Sequence, residues 1–155
     1  MEAVRVQMIN SNGEKNIMIP AGVYEFYCDE VYHIKTLDRI CNICLCDELI
    51  VVKMEDRDFR DGRQVSPPIK DDRRINNVDA YNWKGEHLWN IGDIIGDIRA
   101  KIDNISFIDT TEAKREFGVR AGKNARLLHC TALGWTFIID AVNRKQLCKV
   151  GGRVK

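Results

Sequence analysis

Residues 78–92 read VDAYNWKGEHLWNIG, and this stretch restricts the fold more than any other in the chain. Val78, Ala80 and Tyr81 precede Asn82-Trp83-Lys84-Gly85, and Leu88, Trp89 and Ile91 follow it. The flanking runs carry the β-branched, aromatic and apolar residues that suit a pleated surface. An Asn at the first position of a type I turn caps the turn's own backbone. A Gly at the last position accepts the positive φ that a Cβ opposes. A type I turn followed by a left-handed residue closes a hairpin with a G1 bulge. The spacing therefore predicts a β-hairpin.

Similar grammar occurs twice more. VQMINSNGEKNIMIP (6–20) offers Asn10-Ser11-Asn12-Gly13 as a turn, while IDAVNRKQLCKVGG (139–152) keeps Asn143, loses the glycine and shortens the connection. The shared pattern predicts an internal repeat of hairpins. Further period-two stretches lie between. GVYEFYCDEVYHIKTL (22–37) alternates Tyr24, Phe26 and Cys28 with polar or smaller residues, then adds Tyr32 and Ile34. RICNICLCDELIVVKM (39–54) sets Asp47-Glu48 between two apolar runs, and ARLLHCTALGWTFIIDAV (125–142) turns near Leu133-Gly134. Short alternating runs punctuated by turns are the signature of an antiparallel all-β chain.

Two segments read differently. IGDIIGDIRAKI (91–102) spaces its isoleucines as a helix does, but Gly92 and Gly96 weaken it. DTTEAKREFG (109–118) is a better short helix, with Asp109 as N-cap, Glu112 completing a capping-box-like pair and Gly118 as the stop. The longest irregular stretch, residues 54–77, interleaves acids with arginines and contains Pro67-Pro68, which forbid a ladder there. It reads as an exposed excursion between hairpin strands, and loops of that length are usually functional or disordered.

In this hairpin grammar, and most of all in VDAYNWKGEHLW, the chain resembles the blades of β-propellers. It lacks the Gly-His and Trp-Asp marks of the WD type, and it is too short for a ring of four or more blades of about 40 residues. The resemblance implies a mainly β fold of antiparallel meanders in blade-like units, covering about 3–37, 39–92 and 103–151 of a single domain, 1–155. The arrangement is then a partial or open propeller, or a sandwich, with one or two short helices. Open sheets leave strand edges exposed, so a homodimer through sheet edges is expected.

Composition narrows the partners. The chain has 155 residues, enough for one domain with a real core, and its 45% hydrophobic and 30% charged residues are those of a globular protein. With 24 basic and 23 acidic residues, the net charge of +1 gives no bulk attraction to nucleic acid or anionic membrane. No apolar run approaches the roughly 18 residues that span a bilayer. No basic segment followed by an apolar one opens the chain, so six cysteines read as reduced thiols and the expected location is cytoplasmic.

Chemistry-bearing clusters are few. Cys41 and Cys44 form a Cys-x2-Cys pair, with Cys46, Cys28 and His33 near in sequence, and such a knuckle can grip zinc. No second pair follows, and strand alternation turns Cys41 away from Cys44 and Cys46, so buried small hydrophobes are the plainer account. No cofactor is expected. His33, His87 and His129 lie in no catalytic motif, and His129 and Cys130 point to opposite faces of a strand. Asp79 and Asp140 occupy similar places in two hairpins; paired carboxylates can do acid–base work, but a turn or strand-end role is simpler. The Gly-containing basic stretches 118–126 and 151–155 lack the strand-then-helix setting of a phosphate loop.

The leading expectation is a small cytosolic binding module that recognises another protein. Its candidate contacts are Arg57, Arg60, Arg63, Arg73 and Arg74 on the excursion and Trp83, His87 and Trp89 on the hairpin. Tyr, Trp and Arg supply much of the energy at interfaces. Base stacking on Trp83 and Trp89 is conceivable, but packing on neighbouring strands is the commoner fate of hairpin aromatics. Two alternatives remain: an enzyme or ligand-binding protein with a site assembled between blades, for instance a cleft lined by Asp79, His87 and Asp140, and a toxin-neutralising or regulatory inhibitor.

Overall fold

The predicted hairpin at 78–92 forms, and its turn has the expected chemistry. In the computed structural model, β9 (Val78–Tyr81) and β10 (His87–Asn90) are hydrogen-bonded neighbours. The Gly85 N–H donates to Asn82 O at 3.1 Å, Gly85 has φ +79°, and Asn82 N–H to Glu86 O at 3.0 Å closes the loop. The Asn82 carboxamide accepts from the N–H groups of Lys84 and Glu86 at 2.9 and 3.0 Å and donates to the Glu86 carboxylate at 3.1 Å. The structure describes residues 4–6, 14–20, 22–36, 38–55, 59–60, 63–64, 77–96, 102–122, 124–132 and 134–151. By contact these group into two units, one ending at Trp89 and the other starting at Asn90.

Two sheets make up most of the first unit. β1 (Val4–Val6), β3 (Glu25–Cys28) and β4 (Tyr32–Lys35) form one, with β1 parallel to β3 and β3–β4 an antiparallel hairpin. Asp29 and Glu30 take positive φ at its tip, and Val31 N–H donates to Cys28 O at 3.1 Å. The other sheet has the order β10-β9-β6-β5-β2, with β2 (Glu14–Met18), β5 (Arg39–Cys46) and β6 (Leu49–Glu55). Asp47-Glu48 makes the two-residue turn between β5 and β6, as its sequence predicts, and a bulge falls between Ile40 and Asn42.

The two sheets face each other across one core. Phe26, Cys28 and Ile34 of the smaller sheet meet Ile43, Leu45, Ile50, Val52 and Met54 of the larger, with Trp83 from the hairpin turn. A fully buried residue of this size stabilises by about 1.5–3 kcal/mol over its exposed state. The opposite face of the larger sheet is buried as well, at Cys44, Val51, Val78 and Ala80. Burial on both faces explains why β5 and β6 read as nearly unbroken apolar runs, without the alternation of a half-solvated strand. The polar exceptions, Asn42 and Lys53, sit opposite one another beside the bulge, where Asn42 Nδ2 donates to Asn16 Oδ1 on β2.

One expectation is overturned here. The turn predicted at 10–13 lies outside the described residues, but its arms do not pair: β1 joins the smaller sheet and β2 the larger. A turn signal specifies a local reversal only. Lateral pairing is decided by which sheet edge buries the arm's apolar face, and Val4 and Ile17 both pack on the shared core. The 54–77 excursion is also not wholly irregular. β6 runs to Glu55, and β7 (Phe59–Arg60) pairs antiparallel with β8 (Arg63–Gln64) in a two-residue ladder. Residues 56–58, 61–62 and 65–76, Pro67 and Pro68 included, lie outside the described ones.

Four strands in sequential order dominate the second unit: β11 (Asn104–Ile108), β12 (Leu127–Ala132), β13 (Trp135–Asp140) and β14 (Lys145–Gly151), all antiparallel. The helix α2 (Thr110–Phe117) connects β11 towards β12 and packs Ala113 and Phe117 on Ile108, Leu127 and Ile138. Its predicted ends hold. Asp109 Oδ1 accepts from Glu112 N–H at 2.7 Å, and Gly118 adopts the left-handed conformation at φ 68°. Among its described residues the isoleucine-rich stretch forms one short helix, α1 (Gly92–Ile95), which ends at Gly96 with φ 75°; residues 97–101 lie outside the described ones.

The last hairpin differs from its expectation. Asp140, not Asn143, organises the turn: its carboxylate accepts from Val142 N–H, Asn143 N–H and the Asn143 carboxamide at 3.1, 3.0 and 2.8 Å. The connection is the shorter one expected, since Asp140 pairs with Lys145 across residues 141–144, one residue fewer than the 82–86 between β9 and β10. Among the described residues the fold is thus mainly β with antiparallel sheets, closed into neither a barrel nor a propeller ring.

Candidate functional site

Asp79, Tyr81 and His87 converge on the β9–β10 hairpin. Asp79 and Tyr81 are two apart on β9, opposite Val52 and Ile50 of β6, so both project from the same face of the sheet as the core residues. Tyr81 is half-buried, with its ring edge-on to Phe26 at 6.1 Å and to His87 at 5.5 Å. His87 Nε2 lies 2.8 Å from Asp79 Oδ1, the carboxylate side chain 18% and the imidazole 49% exposed. A row of rings therefore runs from the buried Phe26 outward to an Asp–His pair at the surface.

The chemistry of this group follows from its partners. Burial pushes the Tyr81 phenol up to about 12, and the charge of Asp79 adds to the shift, so the phenol stays protonated as a donor. The Asp79 oxygen accepts only, so a neutral His87 carries its proton on Nε2 and leaves Nδ1 as an acceptor. Such a pair can hold a proton or accept a hydrogen bond from a ligand. Among the described residues the ring and polar contacts of His87 are with Asp79 and Tyr81, which supplies no activated nucleophile. Asp140 belongs to the second unit, where it caps a turn.

The other predicted residues fall as follows. Arg57, Arg73 and Arg74 lie outside the described residues, and of Arg60 and Arg63 only the strand backbone is described. Trp83 and Trp89, expected as exposed recognition residues, are buried at 5% and 3% exposure. Trp83 Nε1–H donates to Asp47 O at 2.8 Å, tying the β9–β10 turn to the β5–β6 turn. A turn indole with both a core to fill and a carbonyl to reach is drawn inward. Cys41 and Cys44 are buried too, and desolvation pushes the Cys44 thiol up to about 12 despite the opposing effect of Lys53. A thiol held protonated in this way is a poor ligand and nucleophile. Among the described residues, no three His, Cys, Asp or Glu side chains are grouped to hold a metal ion.

Two further clusters escaped the sequence. On the outer face of the smaller sheet Arg5, Tyr27 and His33 stand in register; the Arg5 guanidinium is 4.9 Å from the Tyr27 ring centre, and His33 stacks on it at 4.4 Å. In the second unit the Lys149 ammonium lies 4.3 Å from the Trp135 ring centre. Both depend on register between strands, which no local motif encodes. No described helix is long and apolar enough to cross a membrane. Comparison with known proteins finds no matching family model, no matching curated protein and no matching solved structure.

Proposed function

We propose that this chain is a small β-rich module whose role is to bind another polypeptide. One observation carries the reading: exposed large apolar side chains collect at sheet edges and hairpin tips. Met18, 75% exposed, ends the edge strand β2, Val31 at 72% and Tyr32 at 42% tip the β3–β4 hairpin, and Val150 at 48% lies on the edge strand β14. Single exposed apolar residues are ordinary. Apolar groups beside open backbone edges are what strand-adding partners use, because the backbone supplies affinity and the side chains supply selectivity. Six free cysteines, five of them buried, support a reducing compartment such as the cytosol. The sequential order of β11 to β14 supports reading that meander as a blade-like unit.

The test compares quantitative capture from cell extract by the wild-type chain and by a folded variant carrying Met18→Ser, Val31→Ser and Val150→Ser. A protein enriched about tenfold by the wild type and lost with the variant supports the reading, a change of about 1.4 kcal/mol. Equal recovery by both, or none by either, refutes it.

A second reading rests on the Asp79–His87 pair, which fits a small-ligand or acid–base site. A ligand screen followed by imidazole NMR separates the two: a compound that shifts the His87 resonances, and fails to bind the His87→Ala variant, favours this reading.

A further inference from the structure

We infer that the edge strand β14 is a docking strand for an extended, acidic peptide segment, which would add to the second unit's sheet as a fifth strand. This rests on the reading of the chain as a polypeptide-binding module and says where, and for what chemistry. β14 lies at the end of the sheet order among the described residues, and six of its seven residues are exposed, although α1 packs nearby. An edge strand presents a row of backbone N–H and C=O groups that a further strand can satisfy. Arg144, Lys145 and Lys149 give residues 144–151 three positive charges and no negative one, in a chain whose 24 basic and 23 acidic residues nearly cancel overall. Leu147 and Val150, 37% and 48% exposed, supply apolar contact beside those charges.

The charges also decide between occupants. Lysines on an edge strand guard against pairing with like edges. A second copy of β14 laid alongside brings Lys145 and Lys149, which the register shift opposite Ile138/Ile139 sets on opposite faces of the sheet, up against the same two lysines, and like charges so gathered destabilise a pair. An acidic segment converts both into cross-strand attractions. Nucleic acid is disfavoured because β14 carries no aromatic residue and Lys149 already covers Trp135.

The experiment titrates the full chain, by fluorescence anisotropy, into a labelled alternating Glu-Val octapeptide. Controls are the Lys-Val octapeptide, a Glu-Val octapeptide N-methylated at alternate residues, and a labelled oligothymidylate. The Glu-Val peptide should bind about tenfold or more tightly than the Lys-Val peptide, and N-methylation should weaken it about tenfold by removing ladder hydrogen bonds. The Lys145→Glu/Lys149→Glu variant, checked for an unchanged circular dichroism spectrum, should reverse the preference. Equal binding of the N-methylated peptide, an unreversed preference, tighter binding of the oligothymidylate or no binding at all overturns the proposal. If the capture experiment above still finds a partner while these fail, only the β14 assignment falls. If both fail, the recognition reading falls with it.

Discussion

Replacing Trp83 tests whether this side chain is a strut or a recognition residue. The structure buries it to 5% exposure in the core shared by the two sheets of the first unit, with its Nε1–H on Asp47 O at 2.8 Å. Trp83→Phe keeps an aromatic ring in the core but removes the donor and part of the ring volume. A net hydrogen bond contributes about 0.5–1.5 kcal/mol, and the part-buried Asp47 carbonyl loses that donor. With the smaller ring leaving a gap, the expected loss is about 1–2.5 kcal/mol. Trp83→Ala should cost about 3–5 kcal/mol, the range for deleting a buried aromatic. The adjoining Lys84 is exposed, so Lys84→Ala should stay within about 0.5 kcal/mol. Equilibrium urea denaturation, followed by circular dichroism, reads these values. With a slope of about 2 kcal/mol/M, Trp83→Phe should lower the midpoint by about 0.5–1.2 M and leave the slope unchanged. A Trp83→Ala midpoint within about 0.3 M of wild type would place the indole in solvent and refute both the burial and the strut argument.

Other predictions follow from the same contacts. Asn82→Ala removes three hydrogen bonds of the hairpin turn and should cost about 1–2 kcal/mol by the same denaturation assay, with a cost near zero counting against the turn. Asp109→Ala deletes the α2 cap and should cost about 1 kcal/mol, read as a lowered melting temperature. Burial pushes the Cys28 thiol up to about 11, with Asp29 adding to it, and the Cys44 thiol to about 12. The folded chain thus holds protons that the unfolded chain releases near pH 9. That stabilisation is complete below pH 9 and is lost as pH rises towards 11–12; Cys44→Ala should flatten the alkaline decline in melting temperature. At pH 8 a thiol reagent should modify the half-buried Cys148 well before Cys28 or Cys44. Burial lowers the pKa of His129 against the opposing charges of Glu116 and Glu112. Its contribution is present above the ordinary histidine value and fades as pH falls below it, so His129→Gln should weaken the acid sensitivity between pH 7 and 5.

What could be read from the sequence was whatever a few adjacent residues decide. Asn82 and Gly85 wrote their turn, Asp109 and Gly118 wrote the ends of α2, and Asp47-Glu48 wrote the β5–β6 reversal. The Asn10–Gly13 signal misled because its arms pair with strands far along the chain, a choice made by competing sheet edges. Asn143 looked like a turn residue and proved secondary to Asp140, three positions earlier, whose carboxylate can accept from several donors at once. Packing of Trp83 and Trp89 was legible as the commoner fate of hairpin aromatics, but their near-complete burial was not, because a turn aromatic faces inward only if another layer lies beneath it. At the candidate site Asp79 and His87 were named together, along with Asp140, as lining a cleft, but not as a hydrogen-bonded pair. Their pairing, and the part of Tyr81, needed the hairpin's three-dimensional course.

The parting of β1 and β2 bears on how the chain is made. Residues 4–18 supply an outer strand to each layer of the first unit, and neither strand can settle before its partner has been made. β1 waits for Phe26 and Cys28 to be synthesised, and β2 for Asn42 to Cys46. Until then both strands wait unpaired while later hairpins close, and deleting residues 4–18 would strip an outer strand from both layers together.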